Sequence, residues 1–280
     1  MIFKRNYIIN TIKNNLMACK ETISINTVDL NPDVQRWNLS RAIPWFFIFS
    51  MGRSGTHFLS HLLARDKSAL IFHEPMRRDY IEYLRALNAE HDPSIYIGTI
   101  KKKFIQNALF RHKEVKIYVE INSNLRLHSH AIMATFPNVK GYFLIRDGRN
   151  VIRSMMSREI PYLEWITPPV GDPFRSRWNS WGKFEKCCWL WAAENEILHQ
   201  QFGDGLKFEL LIKDYKYLDD NLLSPLKIDI PRQVWDYERI NKSDATTQFA
   251  LDSYENWQTS QQQTFWEVCG TMMDRHEYAR

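Results

Sequence analysis

PWFFIFSMGRSGTHFLSHLL, residues 44–63, reads as a short apolar strand, a sharp polar turn with two glycines, and an amphipathic helix. A second stretch, GYFLIRDGRNVIRSMMSR at 141–158, repeats that order of strand, glycine-containing turn and helix. Each sets a helix N-terminus and basic residues at the carboxyl end of a strand, which is where an open α/β sheet binds phosphates. The turn Gly52-Arg53-Ser54-Gly55-Thr56 offers amides freed by glycine, two hydroxyls and one guanidinium, all able to donate to anionic oxygens. It is not a Walker A loop, because G-x-x-x-x-G-K-[ST] occurs nowhere in the chain.

Outward from these stretches, strands and helices alternate. Residues 69–72, 116–121 and 206–212 read as further strands, and 79–89, 99–111, 125–135 and 183–202 as helices. The alternation predicts an α/β fold of P-loop type, a mostly parallel sheet covered by helices on both faces. Residues 1–42 carry little periodicity and read as an N-terminal extension; 43–280 are expected to form a single domain. Within it, 159–182 holds four prolines and three tryptophans without steady period. That composition suits a packed connector or an aromatic lid over a substrate, with Tyr162, Trp165, Phe174, Trp178 and Trp181 as its aromatics.

The two stretches together resemble the sulfotransferases that use 3′-phosphoadenosine 5′-phosphosulfate (PAPS). The first loop is similar to that family's P-[RK]-[ST]-G-T-[TS], which cradles the 5′-phosphosulfate. The second, Arg146-Asp147-Gly148-Arg149-Asn150-Val151-Ile152-Arg153-Ser154, matches R-D-x-R-x-x-x-x-S, whose first arginine and serine hold the 3′-phosphate. Phe136-Pro137-Asn138-Val139-Lys140 resembles the run preceding that strand, and RDGR…SMMSR resembles most the tyrosylprotein and bacterial branch. The resemblance spans roughly 44–225. More loosely, Asn241-Lys242-Ser243 in the tail is similar to the family's C-terminal cap over the nucleotide.

The resemblance implies a nucleotide site of Gly52, Arg53, Ser54, Gly55, Thr56, His57, Arg146 and Ser154, with Lys242 and Ser243 from the cap. Sulfuryl transfer asks the protein to neutralise charge on the leaving oxygen and to deprotonate the acceptor, so positioning and electrostatics dominate. Arg53 is the candidate for the first task, and His57, standing where the family has a hydroxyl, can also donate. For the second, Glu74 in Phe72-His73-Glu74-Pro75 resembles the family's glutamate base; His73 is its rival, and pairing with Arg77 or Arg78 is the bland alternative. One departure is plain: where the family carries E/N-K-[DS]-P after the third strand, this chain reads Glu120-Ile121-Asn122-Ser123. With no lysine there, either Arg53, His57 or Asn122 stands in, or the acceptor geometry differs from the family's.

Composition bounds the rest. The 280 residues are 44% hydrophobic and 25% charged, ordinary for a globular chain with one sizeable core. A net charge of +5 suits a phosphate-rich ligand and is too small to argue for nucleic acid. The basic triplet Lys101-Lys102-Lys103 reads as a solvated helix face. The longest apolar run, Trp45 to Phe49, is far short of the ~20 residues of a membrane span. The first twenty residues lack the continuous apolar stretch of a secretory signal. Four cysteines without C-x-x-C or His/Cys spacing argue for reduced thiols and no structural metal. A cytoplasmic, metal-independent sulfotransferase acting on a hydroxyl or amine of a small molecule, or on a peptide tyrosine, is the expectation, with PAP as its nucleotide product. A P-loop nucleotide or small-molecule kinase is the alternative, since Thr56 could hold Mg2+, and so is a noncatalytic nucleotide-binding protein of the same fold.

Overall fold

Strand β1 (Trp45–Ser50) is apolar over its first five residues because both of its faces are covered, and all six of its residues are buried. In the computed structural model, which describes residues 43–87, 92–136, 138–164, 166–241 and 248–279, Trp45, Phe47 and Phe49 enter one hydrophobic core while Phe46 and Ile48 enter a second. That division follows from the two-residue period of a strand. Phe47, Ile48 and Phe49 are fully buried, each contributing about 1.5–3 kcal/mol of burial. The N-terminal stretch 1–42, Trp165, Lys242 and Ser243 lie outside the described residues.

β1 pairs in parallel with β3 (Ile117–Ile121) on one side and β4 (Val139–Ile145) on the other. β2 (Ala69–His73) pairs with β3 and β5 (Leu206–Lys207) with β4, giving a parallel sheet of order β2-β3-β1-β4-β5. From β1 the chain crosses to β2, and from β4 to β5, in opposite directions along the sheet. Such a reversal opens a crevice at the carboxyl ends of the strands. Helix α1 (Thr56–Leu63) follows β1; α2 (Arg77–Ala86) and α3 (Lys102–Arg111) lie between β2 and β3; α4 (Ser129–Thr135) precedes β4, and α5 (Gly148–Met156) follows it. The remaining longer helices are α6 (Lys183–Phe202), α7 (Phe208–Lys213), α8 (Arg232–Ile240) and α9 (Thr259–Arg275). No helix among the described residues is long and apolar enough to cross a membrane.

Two expectations are corrected. The strand expected over 206–212 stops after Lys207, and the chain turns into α7, which buries Phe208 and Leu211 at helical spacing. A short apolar run fits either period, and packing decides. Lys101 is not on a solvated face. It is completely buried at the end of a π-turn (Ile97–Lys101), its Nζ 2.9 Å from Asp79 Oδ2 and 2.5 Å from Glu120 Oε1. Tyr96 donates to Asp79, Tyr118 to Glu120, and Asn122 to both carboxylates, so the interior charges are hydrogen-bonded on every side. In the stretch 159–182, several of the described residues pack into the body of the protein. Leu163, Ile166, Trp178 and Trp181 join the main core, and Asp172 accepts from the indole of Trp189 on α6 at 2.8 Å.

Candidate active site

The loop leaving β1 is held in a conformation that most residues avoid. Arg53 has φ +72° and Gly55 φ +93°, the left-handed region that costs a non-glycine residue about 1 kcal/mol or more. Glycine is required at 55 for a second reason: a Cβ there would overlap the ring of Phe208, the first residue of α7. Gly55 caps α1 with no side-chain hydrogen bond, leaving the first amides of the helix and its positive dipole end to a ligand. Ser54 is buried, and its hydroxyl has no hydrogen-bond partner. The Thr56 hydroxyl lies 2.9 Å from His73 Nε2.

The second stretch is tied directly to the first. Arg53 Nε donates to Ser154 Oγ at 2.9 Å, and Arg146 Nη1 donates to the Arg53 carbonyl at 3.0 Å. Arg146 lies with its guanidinium 5.1 Å from the Phe208 ring centroid, and its Nε is buried without a partner. Burial pushes this guanidinium down from its ordinary range, against the opposing pull of Glu209 and Asp147. It is a cation lacking a counter-anion within hydrogen-bonding reach of Nε. Arg149, by contrast, is spent: it lays a fork on Asp147, which also caps α5 by accepting from the Arg149 amide at 2.9 Å. Glu209 fixes this corner by accepting from the Asp147 amide and from the Tyr278 hydroxyl, each at 3.0 Å.

The third wall comes from β2 and β3. Glu74 follows β2 with φ +45°, and its amide donates to the Ile121 carbonyl at 3.1 Å, so the side chain turns away from the sheet. Its carboxylate accepts from the Ser123 amide at 3.3 Å and from the Ser123 hydroxyl. Arg78 turns to Glu82 at 2.6 Å and so is not the partner of Glu74. Two of the four non-glycine residues with positive φ among the described residues, Arg53 and Glu74, thus line one cavity. Backbone strain of this kind concentrates at functional sites.

The cavity measures about 890 Å3. Gly52, Arg53, Gly55, Thr56, His57, His73, Glu74, Arg146 and Ser154, all expected from the sequence, line it together, with Ser54 in the loop beneath. Asn122 does not: it is fully buried against Asp79 and Glu120, and Ile121 is buried beside it, so neither stands in for a lysine in the cleft. Ser123 reaches the cleft instead. Lys242 and Ser243 lie outside the described residues, and Asn241 just before them lines the wall. Sequence reading missed Phe58, His61, Ser123, Arg153, Arg158, Phe208 and Phe249. Ser123 was accessible to a simple rule, since it stands just past the carboxyl end of a central parallel strand; Phe208 was hidden by the misplaced strand. Four arginines and three histidines face two glutamates here, a balance that draws anions. Among the described residues no group of three or more His, Cys, Asp or Glu is arranged to hold a metal ion. Cys187, Cys188 and Cys269 are free and buried.

No family model matches the chain, and no curated protein matches it by sequence. Among solved structures it is similar to sulfotransferase STF9 from Mycobacterium avium, with a TM-score of 0.51 at 10% identity, over 83% of this chain and 76% of that one. Sulfotransferase STF1 from Mycobacterium tuberculosis H37Rv aligns at a TM-score of 0.47 and 15% identity over 84% and 80% of the two chains. The sulfotransferase domain from the curacin biosynthetic pathway aligns at 0.46 and 16% over 69% and 76%. With its parallel sheet and flanking helices, the chain has a sulfotransferase-like α/β fold.

Proposed function

We propose that this protein is a PAPS-dependent sulfotransferase. The observation that carries the reading is the Arg53–Ser154 and Arg146–Arg53 linkage, which joins the two anion-binding stretches around one cationic cleft. The residues fit the nucleotide. The orphaned Ser54 hydroxyl and Arg146 Nε are donors without acceptors, and buried donors left so cost free energy that an anion would recover. In this reading Arg53, Ser54, Thr56 and the amides opening α1 hold the 5′ side, and Arg146 with Ser154 holds the 3′-phosphate. Phe58 and Phe208, their rings 6.0 Å apart, offer apolar faces for a purine. When bound, PAPS supplies the sulfuryl group. Glu74 then takes the acceptor's proton, and Arg53 with His57 balances the charge left on the nucleotide. The acceptor is a hydroxyl or amine of a small molecule or peptide.

Thermal shift and transfer assays test this directly. PAP is expected to raise the melting temperature by several degrees, ATP with Mg2+ to have little effect, and 35S from labelled PAPS to appear on an acceptor from a mixed panel of phenols, sugars and tyrosyl peptides. Stabilisation by ATP with Mg2+ but not by PAP would overturn the reading in favour of a kinase. PAP binding without transfer to any acceptor would favour a noncatalytic nucleotide-binding protein.

A further inference from the structure

Glu74 is held by more than its own backbone. Ser123 follows β3, the strand beside β2, and both its amide and its hydroxyl donate to the same carboxylate oxygen, Oε1. Ser123 is only 7% exposed, and its Oγ lies 4.0 Å from where a side chain on Gly52 would begin, so it is packed against the phosphate loop as well. Behind it, the Ser123 carbonyl accepts from Arg126 Nη1. Arg126 Nε donates to Glu194 Oε2 at 2.5 Å, the Tyr83 hydroxyl donates to Glu194 Oε1 at 2.6 Å, and the guanidinium lies 3.8 Å from the centroid of the Tyr83 ring. Arg126, Glu194 and Tyr83 are 4%, 2% and 1% exposed. A buried ion pair is poor evidence for stability, since desolvation can exceed the attraction. What this one does supply is geometry: α2, α6 and the turn after β3 converge on a single carbonyl.

We propose that Ser123 is the positioning residue for the Glu74 carboxylate, and that the buried Arg126–Glu194–Tyr83 group fixes Ser123 for that purpose. The proposal rests on Glu74 being the base. Two donors on Oε1 fix the plane of the carboxylate and leave Oε2 to receive the acceptor's proton. Because Oε1 stays bonded when Oε2 is protonated, the side chain keeps its aim through the transfer.

A double-mutant cycle on Ser123 and Glu74 separates this from a general structural role. Ser123→Ala is expected to lower kcat about tenfold when Glu74 is present and less than about twofold in a Glu74→Gln background, with PAP affinity by calorimetry unchanged in all four proteins. The lost kcat is expected to return toward the parent in Ser123→Thr, which restores the hydroxyl, with KM for PAPS little changed throughout. The same cycle read by urea unfolding is expected to be non-additive without any turnover. Equal costs of Ser123→Ala in both backgrounds, or a Ser123→Thr protein no more active than Ser123→Ala while Glu74→Gln is inactive, would overturn the positioning role alone. A fully active Glu74→Gln would instead overturn the base on which it rests.

Discussion

At the scale of single residues, Arg146 and Arg149 of the second stretch make a controlled comparison, because they are three positions apart and differently employed. Arg149 already satisfies Asp147, whereas Arg146 carries a buried Nε without an acceptor. Truncating Arg146 to Met is therefore expected to cost about 1.5–3 kcal/mol of PAP affinity, the worth of a charge-assisted pair, and to abolish discrimination against ligands lacking the 3′-phosphate. Arg149→Met is expected to lower thermal stability through loss of the pairing with Asp147 while keeping that discrimination. Calorimetry with PAP and AMP on both variants checks this; the assignment fails if Arg149→Met is the one that loses discrimination. For Glu74, Glu74→Gln is expected to retain PAP affinity and lower turnover by about 10²–10⁴-fold. His73→Ala and His57→Ala are expected to do less, and a dead His73→Ala beside an active Glu74→Gln would transfer the proton to imidazole.

Elements show where sequence reading succeeds and where it stops. β1 and the β4–α5 stretch were legible because their signals are local: an apolar run, a glycine turn, a helix whose cap is Asp147. Helix α6 was legible through its length. β5 was not, because seven apolar-rich residues satisfy both periods, and what selects helix at Phe208 is its ring filling the space that Gly55 leaves open, a contact made across the fold. Lys101 was misread for the same reason, since nothing in a lysine triplet says that Asp79 and Glu120 will meet it. That meeting carries a testable consequence for the elements involved. Burial pushes Glu120 up from the ordinary carboxylate range and Lys101 pulls it back, while Asp79 pushes it further up. Lys101→Met would leave two carboxylates facing each other in the interior, so a loss of about 3–5 kcal/mol is expected. Replacing Asp79 by Asn in the same chain should recover part of it by removing one charge. Urea unfolding measures both, and a Lys101→Met protein as stable as the parent would show that the cluster is not held by charge.

For the molecule as a whole, the segment after α9 is joined to the corner of the cleft at Arg146 and Asp147, and a pH response follows from its packing. α9 ends at His276, whose ring packs 5.7 Å from Phe143 of β4 and 5.2 Å from His199 of α6. Two residues on, Tyr278 donates to Glu209, which accepts from the Asp147 amide beside Arg146. Burial lowers His276 from the ordinary histidine value of 6.5 to about 4; His199, Lys207 and Arg275 add to this, and Asp204 opposes it. Below pH 6.5 the unfolded chain therefore takes up a proton that the folded chain refuses until about pH 4. The unfolded state binds more protons in that window, so stability is complete above it and falls as pH drops through it, by up to about 1.4 kcal/mol per pH unit. Urea unfolding of the parent between pH 7.5 and 4.5 is expected to show this slope on top of the general acid response, and His276→Gln, which cannot titrate, to flatten it. If the variant and the parent lose stability in parallel, acid sensitivity arises elsewhere, and the chain end is a passive strut against β4.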